Sequence, residues 1–314
     1  MKISILVSAA LLLLCTATHS KRQHITHAVV DPLIEIKKSN EQFEQAVLNR
    51  NADSVVSFYA ENLTFFPEYK PALFDNKRLR AFYNDWFRVV NISAYKKKTV
   101  KVEAISNYLL EIGTFRISYS FVPDSMREYT GKYMMLWKRD GQGRLRIVSE
   151  TFGSDKYISA EQVPYAGVEV EETSLVSKNE VPEAVYAEVE AFNARVVKAV
   201  EEGNGNERAA GFTKDGIYMP HFDSILVGIE AIKPYMLKTY KPGGGLFVKH
   251  TFNRVYDLGD YIFVNGHFKG GWRNASRGGT FEGNMSNLMK RDKNGLLLMH
   301  RQIGNNDRKD TAIN

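Results

Sequence analysis

Cysteine is nearly absent from this chain: among 314 residues there is one, Cys15. It lies within the first 20 residues, which we expect to be removed on export. The mature chain would then have no disulfide and no thiolate that could act as a nucleophile or a metal ligand. A protein without disulfides is held together by its apolar core, and a hydrophobic content of 44% is enough to form one.

Long apolar runs are also missing. Lys2 is followed by an apolar run over residues 3–14 and by small and polar residues up to Ser20, whereas a membrane-spanning helix needs roughly 20 apolar residues. The pattern predicts a signal peptide over residues 1–20. We therefore expect a secreted or periplasmic protein with no membrane span. Leu14 stands where a lipoprotein signal normally has a small residue, so lipoprotein anchoring at Cys15 is not favoured.

Several site signatures are missing as well. The sequence contains no pair such as His-x-His or His-x-x-x-His, so we predict no metal site. No glycine-rich loop carries a phosphate-binding lysine, so we predict no nucleotide or other cofactor. The net charge is +6, and the one basic cluster, residues 96–98 with Lys101, is typical of a solvated strand edge. We expect no nucleic-acid partner.

The sequence does contain a stretch that occurs twice. A strand, a polar turn and a second strand run over residues 131–149 and again over residues 283–300. With an offset of 152 residues, the shared positions are Gly131, Lys138, Arg139, Asp140 and Gly143 in the first copy and Gly283, Lys290, Arg291, Asp292 and Gly295 in the second. Each copy has the composition of a β-hairpin. One unit used twice predicts two tandem domains.

The order of the periodic segments repeats too. The patterns predict helices over residues 33–48, 54–59 and 76–89, and strands over residues 63–67, 99–105, 108–121, 128–139 and 145–152. Helices grouped ahead of a meander indicate an α+β fold with an antiparallel sheet. The same order restarts at Pro182. We predict a first domain over residues 31–160, a linker over 161–181, a second domain over 182–304 and a flexible tail over 305–314.

Residues within these segments resemble a known superfamily. The matching positions are Phe43, Ala46, residues 51–53, residues 58–62 and the first hairpin, followed by residues 212–216, residues 228–232 and the second hairpin. In these positions the chain is similar to the SnoaL-like branch of the nuclear transport factor two-like superfamily. The resemblance implies two tandem cone-shaped domains, each with three helices packed on a curved antiparallel sheet around a pocket. Members include isomerases, cyclases, dehydratases and proteins that only bind, so the resemblance implies no single activity.

The steroid isomerases of this superfamily offer a residue-by-residue test. Their mechanism uses an aspartate base and an oxyanion hole made by a tyrosine and a protonated aspartic acid. The base would fall just after the first strand, at Pro67 or Pro220, and the tyrosine at Phe43 or Phe192. None of these side chains can move or donate a proton. We therefore expect no steroid-type isomerisation in its usual form.

Histidines and aromatic residues are the remaining candidates. His250, His267 and His300 are predicted acid/base residues, because a histidine beside a carboxylate can transfer protons near neutral pH. The predicted ligand-binding residues are Tyr59, Trp86, Tyr119, Tyr133, Glu150, Tyr218, His221 and Asn284. Aromatic residues at these spacings are also typical of a core, so a pocket and a core both stay open as interpretations.

Three hypotheses about function follow from these patterns. The favoured one is an exported protein that binds a small, partly apolar ligand, or a partner, in a cone pocket without catalysis. The alternative is an acid/base isomerase, cyclase or dehydratase that uses the second-domain histidines. In the third, the sheet faces pair the two domains, or pair two chains as a homodimer. Whether the protein is an enzyme is left open by the sequence.

Overall fold

Three helices open the first half of the chain. In the computed structural model, which describes residues 31–121, 125–172, 181–273, 277–309 and 311–313, they are α1 (Pro32–Leu48), α2 (Ala52–Val56) and α3 (Asn76–Val89). The bounds of α3 agree with prediction, because the Asp75 side chain caps it by accepting a hydrogen bond from Arg78 N. α2 begins earlier than predicted, since Asn51 is its N-cap.

The first sheet has five strands in the order β1-β5-β4-β3-β2. They are β1 (Tyr59–Phe66), β2 (Asn91–Ile105), β3 (Tyr108–Ser120), β4 (Arg127–Arg139) and β5 (Leu145–Ser154). The meander from β2 to β5 is antiparallel, as predicted. β1 departs from the prediction by running parallel to β5. The connection between them is long enough for a parallel pair because it contains α3 and three strands.

The second half repeats this order with additions. Its elements are α4 (Glu183–Glu201), α5 (Gly205–Ala210), β6 (Phe212–Met219), β7 (Leu226–Val227), α6 (Ile229–Thr239), β8 (Leu246–Asp257), β9 (Tyr261–Arg273), β10 (Gly278–Arg291), β11 (Leu297–Asn306) and β12 (Thr311–Ile313). The seven-stranded sheet has the order β7-β6-β11-β10-β9-β8, and β12 also pairs with β10. β6 runs parallel to β11, as β1 does to β5. Each half therefore places three helices against a mostly antiparallel sheet.

The two predicted hairpins close with the same turn. Between β4 and β5, Asp140 Oδ1 accepts hydrogen bonds from Gln142 N and Arg144 N, and Gly143 has φ +77°. Between β10 and β11, Asp292 Oδ1 accepts from the corresponding amides and Gly295 has φ +79°. Glycine adopts such positive φ values at no steric cost. The Asp/Gly pattern read from the sequence therefore sets both turns.

The two sheets pack against each other. A shared core contains twelve buried apolar residues: Ile105, Leu110, Ile112, Met134, Leu136 and Val148 from the first half, and Ile217, Met219, Leu258, Phe263, Leu288 and Ile303 from the second. Pro32–Asn314 forms one compact unit. The sheet faces thus pair the two halves of one chain. Association of two chains through sheet faces stays a prediction.

The predicted linker and the predicted flexible tail both contain packed residues. Val163, Tyr165 and Val168, in the predicted linker, are buried in the core of the first half. Residues 173–180 of that linker lie outside the described residues. In the predicted tail, residues 305–307 are buried and β12 pairs with β10. The tail thus supplies an edge strand, which its polar sequence does not reveal.

The predicted signal peptide, including Cys15, also lies outside the described residues. Within the described ranges, none of the helices has the length and apolarity required to cross a bilayer.

Candidate functional site

A cavity of about 300 Å³ lies between the helices and the curved sheet of the second half. Its wall comes from all three helices and from β6 and β8 to β11, and most of it is apolar or aromatic. Pockets that bury small molecules begin at about this volume. The polar side chains that line it are Arg208, Tyr218, His221, Thr239, Tyr240, His250 and Gln302. The hollow lies where the superfamily resemblance implied a pocket.

The second half is hollow because small residues occupy positions that are large in the first half. Counting from the helix starts, Thr239 of α6 corresponds to Trp86 of α3. The strand pairings give two more differences: the pair Tyr95–Ile117 corresponds to Val248–Gly270, and the pair Tyr133–Phe152 corresponds to Met285–Gly304. Four aromatic side chains are thus replaced by threonine, valine, methionine and glycine. Their removal opens the space.

Between the helices and the sheet of the first half, the residual cavity measures about 20 Å³, and the larger opening of this half, about 500 Å³, is an open groove along α1 and α2. The residual cavity holds about one water molecule and excludes an organic ligand. Three of the predicted ligand-binding residues, Trp86, Tyr133 and Glu150, do line it together. Tyr59 joins them, since its hydroxyl donates a hydrogen bond to Glu150. The structure therefore groups these four residues, but in a filled interior rather than an open pocket.

Charged groups fill the rest of the first interior. Lys97 Nζ lies 3.6 Å from Glu150 Oε1, and both side chains are almost completely buried. Burial raises the pKa of Glu150, and the charge of Lys97 opposes that rise. Burial, followed by the charge of Glu150, raises the pKa of Tyr59 well above its ordinary value. Lys97 and Glu150 thus pair with each other inside the first half.

The three predicted acid/base histidines do not converge. His250 lines the cavity and its Nδ1 lies 2.5 Å from Asn193 Oδ1. Burial and the charge of Arg208 lower the pKa of His250 to about 4, so its ring is neutral at pH 7. His267 and His300 lie elsewhere, because their strands direct them toward carboxylates outside the cavity.

His267 Nε2 lies 3.0 Å from Asp307 Oδ2. His300 is buried where the sheets meet, with Nε2 3.2 Å from Glu103 Oε2 and Nδ1 2.9 Å from Thr213 Oγ1. Both histidines thus have structural partners. The acid/base trio predicted from the sequence is not assembled.

A histidine and a carboxylate from different halves do meet at the cavity wall. His221 Nε2 forms a hydrogen bond with the carboxylate of Glu68, which is fully buried. The same carboxylate accepts hydrogen bonds from Tyr129 (2.5 Å) and Ser154 Oγ (2.6 Å). These partners fix the orientation of the His221 ring. A histidine held by a carboxylate is the usual arrangement of a general acid or base.

The sequence reasoning missed Glu68 and His221 as a pair. The test for a catalytic base considered residues 66–67 and 219–220, and the titratable side chains of Glu68 and His221 stand directly after these positions. The two occupy equivalent places and contact each other across the sheet interface. The repeat offset was the signal that could have identified them as a pair.

Arg208 is a cavity residue that the sequence interpretation missed. It lies on α5, is 4% exposed, and its Nη2 donates to Gln302 Oε1 at 2.7 Å. Among the described residues, no hydrogen-bond partner faces its Nε or Nη1. The equivalent residue of the first half is Val55, counted from the N-caps Asn51 and Asn204. Comparison of the two copies would have shown an arginine where the other has valine.

The remaining predicted ligand-binding residues divide between the cavity and the packed interior. Tyr218 lines the cavity beside His221. The Tyr119 hydroxyl donates a hydrogen bond to the carbonyl of Gln162 and so secures the segment after β5. Asn284 is buried on β10, opposite His267 and Asn305 on the neighbouring strands. Tyr119 and Asn284 are therefore structural residues.

One group of side chains has potential metal ligands: His267, Glu282 and Asp307, whose ligand atoms lie within 4.8 Å of one another. Lys269 Nζ lies 2.6 Å from Glu282, and Arg308 Nε lies 3.2 Å from Asp307. These cations compete with a metal ion for the same oxygens. We assign the cluster to ion pairing that holds the end of the chain against β9 and β10.

Comparisons with known proteins concern the fold. No protein-family model matches the sequence, and no curated protein matches it. A ketosteroid isomerase-like protein from Erwinia carotovora atroseptica is 11% identical with a TM-score of 0.37, covering 40% of this chain and 97% of that protein. An NTF2-like protein from Cytophaga hutchinsonii is 13% identical with a TM-score of 0.35, covering 40% of this chain and 98% of that protein.

A third match, from Catenulispora acidiphila in complex with S-DNPA, is 22% identical with a TM-score of 0.35 and covers 40% of this chain and 96% of that protein. Helices ahead of an antiparallel meander are observed in each half of this chain. The predicted α+β class is thus confirmed, and the solved structures that are similar to this chain include NTF2-like and ketosteroid isomerase-like proteins.

Proposed function

We propose that this protein binds a small, partly apolar molecule in the cavity of its second NTF2-like domain. The observation that carries the proposal is the contrast between the halves. The second interior is a hollow of about 300 Å³, whereas large side chains and a buried ion pair fill the first and leave about 20 Å³. This contrast supports a structural first domain and a ligand-binding second domain.

Filling the hollow tests this proposal. A Cβ added at Gly304 meets no atom closer than 3.5 Å and Gly304 lines the cavity, so Gly304→Phe introduces a ring at the position where the first half has Phe152. We expect the wild-type protein to bind decanol or 2-naphthalenemethanol in isothermal titration calorimetry, and Gly304→Phe to lose the binding. Val100→Phe, which adds a ring at an exposed position of β2, serves as control. Equal binding by wild type and Gly304→Phe would place the ligand elsewhere.

The pairing of His221 with Glu68 favours a second candidate, acid/base catalysis at the cavity wall. A bound ketone could lose and regain an α-proton through His221, with Glu68 stabilising the protonated ring. We expect this activity to appear as deuterium exchange into 2-tetralone in D₂O, measured by mass spectrometry. Loss of the exchange in His221→Asn, with retained binding of 2-naphthalenemethanol, would support catalysis. Exchange that is no faster than without protein leaves binding alone as the function.

We also propose export, on the grounds of the leader pattern over residues 1–20. The full chain expressed in a bacterium should be recovered from the periplasm with an N-terminus near Lys21. Mass spectrometry of the intact purified protein measures the cleavage point. Recovery of the uncleaved chain from the cytoplasm would contradict the proposal.

A further inference from the structure

We infer that the ligand of the second-domain cavity carries a carboxylate, and that Arg208 binds it. This inference rests on the proposed function, because it specifies the chemical class of the molecule in the same cavity. The expected ligand is a monocarboxylic acid with an apolar body. The body contacts the aromatic and aliphatic wall, and the carboxylate meets the guanidinium.

The state of Arg208 is the first observation. Its side chain is 4% exposed, lines the cavity and has no ion-pair partner within the described ranges. One of its nitrogens donates to Gln302, its guanidinium lies 4.9 Å from the centre of the Phe212 ring, and Nε and Nη1 are left without acceptors among the described residues. A buried and unpaired charge costs several kcal/mol. An anion bound in the cavity would supply the missing acceptors.

The contrast with the first half is the second observation. Val55 occupies the equivalent place there and is fully buried, so this position of the fold accepts an apolar side chain. The fold therefore does not require an arginine for packing. In the first interior, Lys97 has a buried side chain and is paired with Glu150. At the position equivalent to Glu150 on the last strand, the second half has Gln302, which accepts a hydrogen bond but carries no charge.

The other polar groups of the cavity leave Arg208 as its only fixed charge among the described lining residues. His250 is neutral near pH 7, because burial and the charge of Arg208 lower its pKa to about 4. His221 is paired with Glu68, so a positive ring there would be compensated. One positive charge matches one negative charge. A carboxylate suits the planar guanidinium, which can donate two parallel hydrogen bonds to it.

Matched acids and alcohols test the inference. We would titrate decanoate against decanol, and 2-naphthoate against 2-naphthalenemethanol, into the full chain at pH 7 by calorimetry. We expect each acid to bind about tenfold more tightly than its alcohol, since hydrogen bonds to a charged group have this strength. In Arg208→Met, the affinity for the acids should fall at least tenfold, while the affinity for the alcohols should stay the same. Arg208→Lys should retain part of the preference because it keeps the charge.

Arg195→Met is the matched control. Arg195 lies on the neighbouring α4 and donates to the carbonyl of Leu297 outside the cavity, so its loss should leave the preference for acids unchanged. The carboxylate inference would be contradicted if the wild type bound acid and alcohol with equal affinity, or if Arg208→Met kept the preference for acids. Neither result would contradict ligand binding in the cavity. Failure of all four compounds to bind would overturn both. Retained alcohol binding by Arg208→Met shows that its cavity is intact.

Discussion

Glu111 lies on β3 inside the first half and is fully buried. Its carboxylate accepts hydrogen bonds from four side chains: Asn40 at 2.6 Å, Thr99 at 2.8 Å, Tyr133 at 2.7 Å and Trp137 at 3.1 Å. Because all four partners donate, an acceptor with two oxygens is the only side-chain head that satisfies them. The carboxylate therefore joins α1, β2 and β4 to the strand that carries it.

Glu111→Gln replaces one of those oxygens by an NH₂ group that faces donors. We expect it to lower the free energy of unfolding by about 2–4 kcal/mol, since buried donors lose their acceptor. Urea denaturation monitored by circular dichroism measures the change. Glu128→Gln, in an exposed ion pair with Arg116, should change stability by less than about 0.5 kcal/mol. Equal effects of the two substitutions would refute the role of the network.

For single residues, the sequence predicted which side chains face the interior better than it predicted the partners of those side chains. Trp86, Tyr133 and Glu150 were correctly grouped, because alternation along strands and helical spacing place them on one inner face. Glu111 was missed since an acid within a strand ordinarily faces solvent. Arg208 was missed because its significance lies in the absence of a partner, which depends on every element around it and is not visible along the chain.

Gly143, in the first hairpin turn, has a backbone conformation that only glycine adopts without strain. It has φ +77°, and a Cβ added there would meet no atom within 4 Å. Gly143→Ala therefore changes backbone energy alone, and we expect a loss of about 1 kcal/mol in stability. Gly141→Ala is the control, since that residue has equal space but no positive φ. Thermal denaturation should show a lower midpoint for Gly143→Ala only.

Glu103 connects an element of each half, since it lies on β2 and contacts β11. Burial raises its pKa, but hydrogen bonds from His300 and Arg301 and the charges of both residues outweigh this and lower it to about 2. The folded protein thus holds the carboxylate ionised below its ordinary pKa of 4.5. Its stabilising contribution is complete above about pH 4.5 and is lost as the pH falls toward 2.

The contribution should amount to about 1–2 kcal/mol, after allowance for screening of a partly exposed group by solvent. Denaturation curves of wild type and Glu103→Gln between pH 7 and pH 2.5 measure it. We expect the difference in stability to be largest near neutral pH and to shrink in acid. A constant difference across that range would contradict the sign and the assignment.

Elements with strong local signals were predicted well. The observed bounds of α3 agree with the prediction because an apolar stripe and an aspartate cap coincide. Both hairpin turns lie where they were predicted because Asp and Gly determine their geometry. β1 began earlier than predicted, and its parallel pairing with β5 was missed. Pairing of distant strands depends on the whole sheet rather than on neighbours in sequence. β12 was missed for the same reason, since its partner β10 creates the strand.

On the scale of the whole molecule, the two copies of the repeated unit differ in their interiors. The sheets bury each other through one shared apolar core. Large aromatic residues and ion pairs fill the first interior, while smaller residues open the second. The first domain thus supplies a rigid wall, including Glu68 behind His221. The repeat predicted the two domains, but the difference between their interiors depended on side chains at paired positions.

The shared core predicts that both halves unfold together. Leu288 lies in that core on the second sheet, whereas Trp86 and Trp137 are buried in the first half. In a Trp272→Phe background, tryptophan fluorescence reports only the first half. We expect Leu288→Ala to lower the free energy of unfolding by about 2–5 kcal/mol, and by the same amount whether urea unfolding is followed by this fluorescence or by circular dichroism. Leu296→Ala, at an exposed position, should leave both transitions unchanged. If Leu288→Ala did not change the fluorescence transition, the two halves would unfold independently.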